Sequence, residues 1–303
     1  MGDDVVTKDA AISRESFAQR LLIGSVKKSY DPVVDMDWDA PLDPGKFFLP
    51  PEVVSLYGTP LWEAMTPEQR RELSRQELAN VLSVGIWFEN LLNRLLLREL
   101  MSGDPTSRHS HYTLTEMGDE CRHMMMFGKL IDRIDARPYW PRPAGRLVIS
   151  SLQVFLRGSM VWVGALVGEE IFDALQRRTL DDPELQPLVA RAMRIHVTEE
   201  ARHIGFARDA LARRAPELSR SEIAYTRLCV AVAAPLFVYL LTNQHMYRRA
   251  GLEHPRAARR VARHNPAAKR ALGIGAASLG AFLEKQGLMG SIGKRIWQQQ
   301  GLL

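Results

Sequence analysis

The stretch Ile195-His196-Val197-Thr198-Glu199-Glu200-Ala201-Arg202-His203-Ile204-Gly205-Phe206 decides how the rest of the chain is read. At about 100° per residue, His196, Glu200 and His203 fall within about 60° of one another on one side of a helix. The core of the stretch occurs twice. Upstream, Asp119-Glu120-Cys121-Arg122-His123 repeats the order acid, Glu, any residue, Arg, His of Glu199 to His203. A lone Glu-x-x-His is ordinary solvated helix surface. Here both copies run into large apolar residues, Met124, Met125 and Phe127 in one and Ile204 and Phe206 in the other, and charged groups so placed need a partner.

Two Glu-x-x-His helices, with one Glu from each of two further helices, build a dinuclear iron or manganese centre inside a four-helix bundle. The sequence must therefore supply two more helical carboxylates. Glu89 lies within Ile86-Trp87-Phe88-Glu89-Asn90-Leu91-Leu92, and a carboxylate in so apolar a setting is paired, protonated or metal-bound. The apolar run Val161 to Val167 is interrupted by Glu169 and Glu170, and helix geometry alone leaves either as the fourth carboxylate. Glu116, one turn before Glu120, is an outer or competing carboxylate.

With 303 residues and 46% hydrophobic content, the chain can bury a full core and has no composition suggesting disorder. Cys121 and Cys229 are too few for a disulfide framework and lack zinc-finger spacing, which points to a reducing, cytoplasmic setting. Cys121 reads as a small packing residue. Met1 to Ser13 is polar and acidic without an apolar signal core. The most apolar run, Leu228 to Leu241, is shorter than a membrane span and contains Pro235. Net charge is +5, with +9 carried by Arg248 to Leu303 and −4 by the rest. That basic end would attract an acidic partner, while no helix-turn-helix, RNP or finger pattern supports nucleic-acid binding.

Helical periodicity places a first amphipathic helix over Arg14 to Lys28, followed by an irregular arm to Met65 anchored by Trp38, Phe47, Phe48, Tyr57 and Trp62. Thr66-Pro67-Glu68-Gln69 is a capping box with proline at the first helical position. Long helices are expected to Leu100, over Ser107 to Ile134, over Gly145 to Arg178 after prolines 138, 141 and 143, and from Asp182-Pro183 to about Arg214. Ser219 caps a fifth helix extending to about Arg249. No segment alternates as a strand. The expectation is one all-α domain over 1–303 with a ferritin-like four-helix core at 66–215, an N-terminal helix and arm at 1–65 and additional helices at 216–303.

The set Glu89, Glu120, His123, Glu169, His196, Glu200 and His203 resembles the p-aminobenzoate N-oxygenase (AurF-type) family of nonhaem dinuclear iron oxygenases. His196 carries the likeness, because most ferritin-like di-iron sites have four carboxylates but only two histidines. It extends over Tyr30-Asp31-Pro32, Trp38-Asp39, Leu56 to Trp62 and Ile86 to Glu89, and selects Glu169, 27 residues before His196. It implies two iron ions, with manganese as an alternative, that bind O₂ as a peroxo bridge and oxygenate an amine to hydroxylamine, nitroso or nitro products. An external electron donor and a homodimer are implied too.

Asp119 and Glu199 directly precede ligand carboxylates and so point about 100° away from them. Each is expected to accept a hydrogen bond from a ligand histidine on the other motif helix. Inward-facing Leu82, Gly85, Asn93, Thr113, Trp162, Leu166, Met193 and Phe206 suggest an apolar pocket, with any cationic anchor coming from the arm or the basic C-terminal region. The substrate expected is an apolar or aromatic amine. Alternatives are hydroxylation or desaturation of an apolar or carrier-tethered chain, and a ferroxidase.

Overall fold

The computed structural model describes residues 3–140 and 143–303; Met1, Gly2, Arg142 and the expected helix breaker Pro141 lie outside the described residues. The described residues are all-α and ferritin-like apart from one isolated bridge, Phe47 to Leu185. In chain order the α-helices are α1 (Asp3–Lys27), α2 (Pro60–Glu63), α3 (Pro67–Leu100), α4 (Arg108–Arg133), α5 (Pro143–Phe155) and α6 (Ser159–Arg177). They continue with α7 (Pro187–Arg214), α8 (Arg220–Leu241), α9 (Gln244–Arg249), α10 (Pro255–His264), α11 (Pro266–Lys285) and α12 (Ser291–Gln300).

Four helices form the core. Helix α3 packs on α4 and α6 on α7, and contacts of α3 with α6 and of α4 with α7 close the bundle. The short connections at 101–107 and 178–186 suit antiparallel neighbours. Thr66 and Gln69 form a complete capping box at the start of α3, and Ser219 and Glu222 form another at α8. Helix α1 lies across α4 and α7. The arm between α1 and α3 covers one end of the bundle, where Met36, Val54, Leu56 and Trp62 join a cluster with Leu73, Leu82 and Phe127. Trp38, Phe47 and Phe48 are half-buried, while Tyr57 is exposed and meets Trp62 edge-on at 5.8 Å.

Several boundaries differ from the sequence expectation. The first helix begins at Asp3, ahead of Arg14. The long helix expected over Gly145 to Arg178 is two helices, because Gly158 has φ +56° and ψ −126°, a conformation that interrupts helical hydrogen bonding. The guanidinium of Arg98 takes the carbonyls of Gln153 and Leu156 at that break. Helix α7 starts at Pro187 and not at Pro183, since the backbone of Phe47 bonds to Glu184 O at 2.8 Å and Gln186 N at 2.9 Å and holds the connection extended. The fifth helix breaks at Thr242-Asn243, where Asn243 caps α9. By length and composition the run Arg220–Arg249 does reach what a membrane crossing needs, which corrects the shorter estimate, although α8 packs on α3, α6 and α12.

Candidate metal centre

Glu89 on α3, Glu120 and His123 on α4, Glu169 on α6, and His196, Glu200 and His203 on α7 are all buried. Ligand-type atoms of Glu89, His123, His196 and Glu200 lie within 4.8 Å of one another, and so do those of Glu120, Glu200 and His203. Glu200 belongs to both groups. Its Oε1 is 3.3 Å from His123 Nδ1, 3.4 Å from His196 Nε2 and 3.5 Å from His203 Nδ1. Glu120 spans two of these three histidines, 2.9 Å from His123 Nδ1 through Oε2 and 2.7 Å from His203 Nδ1 through Oε1. Glu169 is in neither group, yet both of its oxygens are buried without a hydrogen-bond partner. Glu170 turns the other way, into a two-pronged ion pair with Arg208 whose Nε–Oε2 distance is 2.9 Å.

The outer nitrogens are also held. His123 Nε2 lies 2.9 Å from Glu199 Oε2, and His203 Nε2 lies 3.2 Å from Asp119 Oδ2, so each motif helix holds the histidine of the other. The arginine of each motif holds the outer acid: Arg122 pairs with Asp119, while Arg202 reaches Asp119 at 3.3 Å and Glu199 at 3.8 Å. Tyr30 N of the arm donates to Glu199 Oε1 at 3.1 Å. His196 is supported differently, by an amide, with Nδ1 2.9 Å from Gln176 Oε1. Sequence reasoning missed Gln176. The signal was its place seven residues after Glu169, two turns on along the same face of α6.

Burial and the closeness of other charges shift the titration of these groups in opposite directions. Burial, then Glu120 and Glu200, push the Glu89 carboxyl well up; burial, then Glu200 and Glu116, do the same to Glu169. Burial also lifts Glu116 to about 8, and neither of its oxygens has a partner. Burial opposes charge on His123 and His203, but Glu120 together with Glu199 and Glu200 around His123, and with Glu200 and Asp119 around His203, outweighs it and raises both well above the usual imidazole range. Glu120 is held at about 2, His203 and His123 overcoming burial and Glu200. His196 goes the other way: burial lowers it to about 4, so it is a neutral ring whose Nε2 lone pair is free to bind a cation.

The orphaned atoms test whether two cations suit this site. Glu89 Oε2, Glu120 Oε1, both oxygens of Glu169 and of Glu200, His196 Nε2 and His203 Nδ1 are buried without hydrogen-bond partners. His203 Nδ1 and Glu120 Oε1 stay unbonded although only 2.7 Å apart. Native interiors leave few such atoms, and here they converge on one spot with oxygen and imidazole donors suited to iron. The residues present therefore fit a dinuclear iron centre.

A small void of about 10 Å³ touches Glu89, Glu169 and His196. It shares Val84, Phe88, Gly168 and Phe237 with a cavity of about 420 Å³ that has no charged residue in its lining among the described residues. It shares Val81, Phe172 and Leu241 with a second cavity, of about 150 Å³, that Gln176, Glu77, Arg263 and Lys269 help to line. The space by the metal candidates is apolar, as expected, but mostly through other residues. Gly85 and Met193 line it, whereas Leu82, Thr113, Leu166 and Phe206 are closed core. Cys121 is exposed and not a packing residue, its Sγ 3.7 Å from Asn93 Nδ2.

A family model described as P-aminobenzoate N-oxygenase AurF matches residues 11–287. The proteins Uncharacterized protein MT0908 of Mycobacterium tuberculosis and Uncharacterized protein Mb0909 of Mycobacterium bovis are each 34% identical to the chain over 235 residues, 73% of its length. The match spans 66% of the length of each of these relatives, just under two thirds.

Proposed function

Because the chain belongs to the p-aminobenzoate N-oxygenase AurF family, we propose that it is an O₂-activating di-iron monooxygenase that oxygenates the nitrogen of an apolar or aromatic amine. The observation that carries this reading is Glu200 Oε1, faced by ring nitrogens of all three histidines at 3.3 to 3.5 Å with no hydrogen bond to any. In this reading Glu89, Glu120, Glu169, Glu200, His123, His196 and His203 hold two irons. Bound iron would supply the redox chemistry that activates O₂, with electrons from an external donor.

The chain's own groups do the rest. Four carboxylates offset most of the charge of two irons in an apolar interior, and three neutral imidazoles fill positions without adding charge. Glu199, Asp119 and Gln176 fix which nitrogen of each ring turns inward. The apolar walls, among them Phe88, Phe172 and Phe237, exclude water from the inner void and favour an uncharged amine there.

Metal analysis and product analysis test the proposal together. Protein purified with iron should carry about two irons per chain, and with an aryl amine, O₂ and a reductant it should give the hydroxylamine, nitroso or nitro compound. Iron without N-oxygenation would overturn the N-oxygenase assignment, and no bound metal would overturn the oxygenase. The uncharged 420 Å³ cavity favours a second reading, C–H hydroxylation or desaturation of a longer apolar substrate, which the same products would separate.

A further inference from the structure

Gln176 is 95% buried, and its two amide atoms face different demands. Oε1 accepts from His196 Nδ1, an orientation that leaves His196 Nε2 bare toward Glu200. Nε2 has no partner among the described residues, although the residue lines the 150 Å³ cavity. The other buried polar side chains of that lining are engaged. Glu77 takes both the N–H, at 2.9 Å, and the hydroxyl, at 2.5 Å, of Ser55; Thr179 Oγ1 donates to Gln176 O at 2.9 Å, and Thr242 Oγ1 to Tyr239 O at 3.3 Å. The two cations of the lining point elsewhere, Arg263 over the Tyr239 ring at 5.6 Å and Lys269 to Gln299 O at 3.1 Å. A buried amide hydrogen left without an acceptor is costly, and Gln176 Nε2 faces a cavity that can supply one.

The volume limits the occupant. An apolar cavity of roughly 150 Å³ holds about one benzene ring. Phe172, Leu175, Val189 and Met193 give it apolar walls, and Val81, Phe172 and Leu241 continue them to the void beside Glu89, Glu169 and His196. Gln176 sits on the Nδ1 side of His196, across the ring from the cluster.

We propose that this cavity is the substrate site, that it takes a single-ring aryl amine bearing a neutral hydrogen-bond acceptor, and that Gln176 Nε2 donates to that acceptor while the amine end reaches the void. This rests on the oxygenase reading, and it makes Gln176 a specificity-determining residue as well as the support of His196. A carboxylate in place of the neutral acceptor would be drawn to Lys269 or Arg263 of the lining and not to Gln176.

Three para-substituted anilines test it by calorimetric titration of both iron-loaded and metal-free protein: 4-aminoacetophenone with a neutral acceptor, 4-ethylaniline of similar shape without one, and the anion 4-aminobenzoate. Wild type should bind 4-aminoacetophenone about tenfold tighter than 4-ethylaniline, the worth of one buried hydrogen bond. Gln176→Glu keeps an oxygen for His196 Nδ1–H but replaces the amide hydrogens with a carboxylate that repels an acceptor, so the preference should disappear in the metal-free protein whatever the variant's iron content. Gln176→Leu should lose the preference and iron together. No preference in wild type, or one that survives in both variants, would overturn the proposal. So would tightest binding of 4-aminobenzoate with the advantage lost in Lys269→Ala. Since the titrations also read metal-free protein, absence of iron would sink the oxygenase reading and leave the cavity result standing.

Discussion

Nε2 of His123 on α4 lies 2.9 Å from Oε2 of Glu199 on α7, and the ring's other nitrogen, Nδ1, faces Glu120 and Glu200. The partner relationship runs the opposite way, from His203 on α7 to Asp119 on α4. Two helices thus lock each other's rings, and neither ring can turn without giving up a buried hydrogen bond.

Removing that lock should lower metal affinity without removing a ligand. Asp119→Ala and Glu199→Ala are each expected to reduce iron affinity by 10- to 100-fold, the usual effect of losing a ligand's outer partner. Iron content after dialysis against a weak chelator measures it. Full retention in both variants would show that the two acids do not orient the rings.

Iron binding should release protons. Burial and neighbouring carboxylates push Glu89 and Glu169 well up, and the carboxylates around His123 and His203, Glu120 foremost, raise both rings against the pull of burial. A metal requires all four deprotonated, so affinity should rise with pH across the neutral range. Calorimetry in buffers of different ionisation enthalpy reads the number released, and zero would contradict the ligand set.

Glu77 should give the folded state a pH dependence of its own. Burial raises its carboxyl to about 7, so between its ordinary value and there the native state holds a proton that the unfolded chain has lost. Its contribution to stability is therefore full in acid and falls as pH rises toward 7, by on the order of 3 kcal/mol. Glu77→Gln, which keeps an acceptor for Ser55 N, should melt increasingly higher than wild type as pH goes from 5 to 8. A difference that does not vary with pH would refute this.

Gly168 is needed for space. A Cβ there would stand 2.1 Å from the Phe88 ring, which lies across the helix beside the inner void. Gly168→Ala should cost about 1–3 kcal/mol in chemical denaturation, the usual range for overpacking. Adding Phe88→Leu should recover most of it, and no recovery would place the strain elsewhere.

The capping box at Thr66, both Glu-x-x-His motifs and the isolated Glu89 were legible because each is a local pattern, fixed by helical period and by the cost of charge among apolar neighbours. The break at Gly158 was not, because a glycine inside an apolar run is also compatible with a continuous helix, and it is Arg98 of α3 that takes the freed carbonyls. The start of α7 was misjudged for a similar reason, since Phe47 of the arm holds 184–186 extended.

By itself the sequence determined the fold class, the four core helices and the face each carboxylate and histidine presents, since a 3.6-residue period sets direction around a helix axis without reference to anything distant. Only the tertiary structure decided that Glu170 belongs to Arg208 and Glu169 to the interior, that His123 and His203 turn Nδ1 inward while His196 turns Nε2, and that Gln176 stands behind His196. These depend on how helices far apart in sequence rotate and pack against one another, and a ring nitrogen's direction follows from the acceptor that a neighbouring helix places behind it.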